Sequence, residues 1–139
     1  MAEVERDLRH CEELCSNGQL DEAFELYTKS IEENSGHENL AKMVAEAFNN
    51  RGQIKYLRVD FDEAIEDYSN AIKLDNNFAV AYYNRGQIHY RLGRYKLAEV
   101  DLQRALELKP DFEDARLNLN QVQSDLQSGH QFNVTTQNV

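Results

Sequence analysis

The chain has 139 residues, with 25 Asp and Glu against 15 Lys and Arg and a net charge of −10 at pH 7. That length suits one domain with a modest core, and no apolar run approaches a membrane span. The start, Met1-Ala2-Glu3-Val4-Glu5-Arg6, lacks the basic and apolar stretches of a signal peptide, so a cytoplasmic protein in a reducing environment is expected.

Residues 1–128 divide into seven amphipathic helical stretches and no strand set, so the chain reads as all-α. The breaks fall at Asn17-Gly18, Ser35-Gly36, Asp60, Asp75-Asn76-Asn77, Leu92-Gly93 and Lys109-Pro110, which are turn and helix-end residues. On the first stretch Cys11 and Cys15 stand one helical turn apart and share a face. Zinc wants four ligands in paired short spacings, and His10 points along a different azimuth, so the two cysteines read as small packing residues and no metal or cofactor is expected.

The most informative feature lies in the middle. Residues 45–78 and 79–112 are one 34-residue unit written twice, with thirteen identical positions that include Asn50/Asn84, Arg51/Arg85, Gly52/Gly86 and Gln53/Gln87. A unit of this length holds one helix pair, which must stack on neighbours to bury its apolar face. Gly52 and Gly86, with Ala64, Ala98, Ala71 and Ala105 on the facing helix, let paired helices approach closely, while Phe48 and Tyr82 fill the space between pairs. Arg51 and Arg85 are placed to reach Asp67 and Asp101, which recur at the same distance. Asp60-x-x-Glu63 reads as a helix start with a capping box.

A weaker unit, 4–37, precedes these two. Its Cys11, Leu14, Leu20, Ala23, Tyr27 and Ser30 fall at the spacings of Gly52, Lys55, Phe61, Ala64, Tyr68 and Ala71. The step from Ser30 to Ala71 is 41 residues rather than 34, so seven are inserted, about 38–44, and a long helix from Glu38 to Arg58 is expected. After Pro110 the spacing continues through Ala115, Asn118 and Gln121 into a capping helix over 113–128. Residues 129–139 form a polar tail, expected to be flexible, with Phe132 and Val134 as potential anchors for docking in a groove. Asn133-Val134-Thr135 is a glycosylation sequon without a secretory signal, and reads as an accident of that tail.

The pattern Tyr82-x-x-Arg85-Gly86-x-x-x-Tyr90, followed by Tyr95-x-x-Ala98-x-x-x-Leu102-x-x-Ala105 and Pro110, resembles the tetratricopeptide repeat (TPR) family, as does its counterpart from Phe48 to Ala71. The resemblance covers residues 4–127. It implies a right-handed superhelical solenoid of three helix pairs plus a C-terminal capping helix, whose first helices line a concave face that holds an extended peptide or helix. On that reading Asn50, Asn84 and Asn118 form one amide ladder and Gln53, Gln87 and Gln121 a second. Amides offer both donor and acceptor to a peptide main chain. Tyr56 and Tyr90 add an aromatic lining, Asn49 and Tyr83 complete the candidate groove, and His89 is placed at its edge.

These residues bear on four function classes. A non-catalytic interaction module leads, with a structural subunit using convex or end surfaces as the alternative and a monomer or weak dimer expected. Heat-shock-protein tail binding is less favoured: relatives that do this use lysines, an arginine and asparagines, and in the frame of this chain only Asn50 matches, with Leu8, Glu12, Val80 and Asn84 at the other places. A doubly anionic tail would lack its charge-assisted partners. Catalysis has no support from a phosphate loop or a nucleophile and base set, and the four histidines lie on separate elements. Charge runs from −7 over 1–44 and −3 over 45–78 to +2 over 79–112 and −2 over 113–139. With no continuous basic stripe, nucleic acid is not an expected partner, and neither is a membrane.

Overall fold

The structure is a computed structural model that describes residues 2–129. The tail from His130, with Phe132, Val134, the sequon and the self-docking expectation, lies outside the described residues. Seven α-helices are present among them: α1 (Ala2–Ser16), α2 (Leu20–Asn34), α3 (Ala41–Leu57), α4 (Phe61–Leu74), α5 (Ala79–Arg91), α6 (Tyr95–Leu108) and α7 (Glu113–Gln127). The described residues contain no strand. The helices fall into two compact units, Met1–Asn76 and Asn77–Val139.

In the first unit α1 packs on α2, α2 on α3 and α3 on α4. Helices α1, α2 and α3, with Leu40, bring apolar stripes to a shared core of Val4, Leu8, Cys11, Leu14, Ala23, Tyr27, Ile31, Leu40, Val44, Ala47 and Ile54. Cys11 is fully buried in that core and Cys15 half-buried, both as free thiols. Burial comes first among the causes that push the Cys11 thiol up to about 12, which suits a packing role. Gly52 fits α3 against α4 because a methyl group there would lie 2.8 Å from the ring of buried Tyr68.

The inserted residues do not extend α3 back to Glu38. The chain turns at Ser35–His37, makes a single 3-10 turn over Glu38–Leu40, and enters α3 at Ala41. Leu40 (φ −108°, ψ 6°) leaves helical geometry and buries its side chain in the core, so packing of this one residue interrupts the expected long helix.

In the second unit α5 packs on α6, α6 on α7, and α5 also meets α7. Ala98, Leu102, Ala105, Ala115 and Val122 form its core, ringed by Tyr82, Tyr83, Tyr90, Tyr95 and Phe112.

Three inter-helix turns share one hydrogen-bond scheme. Gln19, Asp60 and Arg94 donate their backbone N–H to the carbonyls of Leu14, Lys55 and His89, at 2.8, 2.9 and 2.8 Å. This is the six-residue closure of a Schellman motif, which wants a left-handed residue just before its end. Gly18 and Gly93 supply it with φ of 78° each, but in the α3–α4 turn the residue is Val59, at φ 64°. The same scheme overturns the capping box at Asp60. Its backbone N–H is already committed to Lys55, so Glu63 has no N-cap amide to reach, and Asp60 makes no side-chain cap bond.

Candidate functional site

The two repeated arginines do what their spacing suggests. Arg51 donates from Nε and Nη2 to the two carboxylate oxygens of Asp67 at 2.9 and 2.8 Å, and from Nη1 to Thr28 Oγ1. Arg85 grips Asp101 in the same fork at 2.8 Å twice. Asp67 and Asp101 are both buried, and their hydrogen bonds are the first cause raising the two guanidinium pKa values. These arginines therefore fasten one helix of a pair to the other.

The third member of each cluster differs between the copies. Lys55 Nζ lies 3.1 Å from Asp67, whereas its counterpart His89 has Nε2 3.8 Å from Asp101. His89 is buried rather than at the edge of a groove, and its Nδ1 has no hydrogen-bond partner. Proximity to Asp101 would favour the imidazolium, but 3.8 Å is too long for a hydrogen bond and Arg85 already occupies that carboxylate. Desolvation wins, aided by Arg85 and Arg94, and the pKa of His89 is lowered.

The groove candidates sort by unit. In the first, Asn49 is buried and donates to Asn50 Oδ1 at 3.2 Å. Asn50 lies near the Tyr27 hydroxyl, which burial drives well above its usual range. Gln53 is exposed, and Tyr56 packs its ring on Phe61 at 5.7 Å.

In the second unit five of the candidates fall into two hydrogen-bonded clusters, each spanning α5 and α7. Gln87 Nε2 and Asn118 Nδ2 donate to the Tyr83 hydroxyl at 2.9 and 3.3 Å. The Tyr90 hydroxyl donates to Asp125 Oδ2 at 2.6 Å, and Gln121 Nε2 donates to Asp125 Oδ1 at 3.0 Å. The bond to Asp125, more than burial, pushes the Tyr90 hydroxyl up to about 12. Rings of Tyr83 and Tyr90 stack on Phe112 and Tyr95 at 4.8 and 5.3 Å. Asn84 is only 4% exposed, so it sits below this surface. Asp125 escaped sequence reading, although it stands four residues after Gln121 and seven after Asn118 and so shares their helix face.

Among the described residues no group of three or more His, Cys, Asp and Glu side chains is placed to hold a metal, and no helix is long and apolar enough to cross a membrane.

The family models agree with this architecture. One described as TPR repeat matches residues 52–93, and one described as tetratricopeptide repeat matches 79–112. Residues 52–112 are thus tetratricopeptide repeats. No curated protein sequence matches it. Solved TPR structures do: the Arabidopsis OM64 TPR domain is 25% identical over 89% of this chain and 97% of its own, with a TM-score of 0.77. The first TPR of Spaghetti (RPAP3), bound to the HSP90 peptide SRMEEVD, is 24% identical over 88% and 92%, with a TM-score of 0.76. The second TPR domain of human RPAP3, in complex with the HSP70 peptide SGPTIEEVD, is 24% identical over 84% and 92%, with a TM-score of 0.72. At these identities the two RPAP3 domains speak for a shared fold. TPR domains are protein–protein interaction modules, and protein or peptide is accordingly the class of partner for this TPR chain.

Proposed function

We propose that this TPR chain is a non-catalytic adapter that holds an extended segment of a partner protein on the faces of its first helices. The observation that carries the reading is a pair of hydrogen-bonded clusters on α5 and α7, Tyr83 with Gln87 and Asn118, and Tyr90 with Gln121 through Asp125. Five polar side chains from two helices are oriented by one another and by stacked rings, so they meet a peptide with little rotamer freedom left to lose. Asn49, Asn50, Gln53 and Tyr56 on α3 offer the same residue types in the first unit.

A heat-shock tail of the kind bound by the RPAP3 domain is a poor ligand for this chain. The lysine and arginine places of that clamp hold Leu8, Val80 and Asn84, and Glu12 adds a like charge. An alternative reading, a structural subunit engaged through its outer surfaces, draws support from Leu97 and Val100, one helical turn apart on α6 and both exposed.

The test is affinity capture from cell extract with the wild type beside a Gln87→Ala, Asn118→Ala, Gln121→Ala variant of unchanged helicity and melting. Partners lost only from the variant support the α5/α7 face. Retention of every partner by the variant, with loss on Leu97→Asp, Val100→Asp, would transfer the function to the outer surface.

A further inference from the structure

The internal hydrogen bonds of the α5/α7 face leave it with a chemical sign. Asp125 is acceptor-only when ionised, so Gln121 must present its NH2 group to it, and the orientation of that amide follows from chemistry alone. Gln87 and Asn118 likewise spend amide N–H groups on Tyr83. Tyr90 spends its hydroxyl proton on Asp125. What remains for a ligand on these residues is weighted toward acceptors: the amide oxygens of Gln87, Asn118 and Gln121 and the lone pairs of Asp125, beside one further N–H on each amide.

Asp125 is the centre of this arrangement. A carboxylate has about four acceptor sites, and the described residues fill two of them with neutral donors. No Lys, Arg or His among the described residues forms an ion pair with it, in contrast to Asp67 and Asp101, each of which is gripped by a guanidinium. It is half-buried, which lets a cation approach it in a setting less screened than open water. We infer that the α5/α7 face selects a lysine or arginine side chain of an extended partner segment, with Asp125 as its counter-ion and the oxygens of Gln121, Gln87 and Asn118 as further acceptors.

In the first unit Glu46 on α3 is raised by burial and then by the charge of Glu12 on α1, which agrees in sign. A cation arriving there relieves that repulsion, whereas an anion adds to it. This inference rests on the proposed peptide-binding reading and names its partner class.

The experiment begins with a phage-displayed library of random decapeptides panned on the full chain. One selected peptide is then labelled and titrated by fluorescence polarisation against wild type and Asp125→Asn. Amide exchange maps its footprint. Selected peptides enriched in Lys and Arg, protection over α5 and α7, and about a tenfold weakening in Asp125→Asn are expected. Should the side-chain change disturb α7, raising salt from 50 to 500 mM with wild type gives a second reading, since a charged contact weakens and a neutral one does not. Peptides that protect α5 and α7 but are neutral or acidic, or that ignore both Asp125→Asn and salt, overturn the basic-partner inference and leave the groove reading standing. Absence of any footprint on α5 and α7 overturns both.

Discussion

Val59 offers the sharpest test of how local geometry sets stability in this fold. It is a β-branched residue at φ 64°, in the turn position that Gly18 and Gly93 fill elsewhere. Left-handed geometry costs an L-residue about 1–2 kcal/mol, and glycine escapes that cost. Against this, glycine adds about 0.5–1 kcal/mol of unfolded-chain entropy. Val59 is 68% exposed, so removing its side chain forfeits only about a third of a valine's burial, roughly 0.5 kcal/mol. Val59→Gly should therefore be neutral or stabilising by up to about 1 kcal/mol, while Val59→Ala loses the side chain and keeps the strain. The decisive quantity is the difference between the two: the glycine variant should exceed the alanine variant by about 1 kcal/mol, or roughly 3–5 °C in Tm. That order is the reverse of the ordinary one. Gly18→Ala provides the mirror, losing about 1 kcal/mol, since a methyl group there meets nothing within 4 Å and only the backbone is affected. Urea unfolding at constant m-value is the assay. An alanine variant as stable as the glycine variant at position 59 would refute the strain argument.

Other expectations follow from the buried clusters. Asp67→Ala leaves Arg51 and Lys55 as buried cations without a counter-ion and should cost about 3–5 kcal/mol. Asp101→Ala should cost less, because it takes the carboxylate from one cation, Arg85, rather than from two; equal losses in urea titrations would contradict a neutral His89. Gly52→Ala should destabilise by about 1–2 kcal/mol, because overpacking against the Tyr68 ring outweighs the gain in helix propensity, and Gly86→Ala should cost less, its nearest neighbour being Leu102 Cγ at 3.1 Å. Since the folded pKa of His89 lies below its unfolded value near 6.5, its contribution to stability is present above that pH and lost as pH falls through the folded value. The unfolding midpoint of wild type should drop between pH 7 and 5 with a slope of up to about 1.4 kcal/mol per unit beyond that of His89→Leu; parallel profiles for the two would show that desolvation, aided by Arg85 and Arg94, does not hold the imidazole neutral.

How much was legible beforehand follows from which physical constraints act along the chain and which act across it. The 34-residue recurrence, the turn residues at Gly18 and Gly93, and the small residues at 52, 64, 71, 86, 98 and 105 are imposed by helix length and by the closeness of paired backbones, so the sequence alone determined an all-helical repeat fold. The Arg51–Asp67 and Arg85–Asp101 pairs were legible for the same reason, since one geometry was copied with its residues. Tertiary structure alone decided the rest. The length of α3 depended on where Leu40 found a core, and the missing cap at Asp60 on an amide already bonded to the previous helix. The amides of Gln87, Asn118 and Gln121 have no preferred direction in a sequence; Tyr83 and Asp125, reached from neighbouring turns and helices, orient them. Hydrogen bonds of this kind are specified by separation in space, and that is what turned a list of neutral side chains into a surface with a sign.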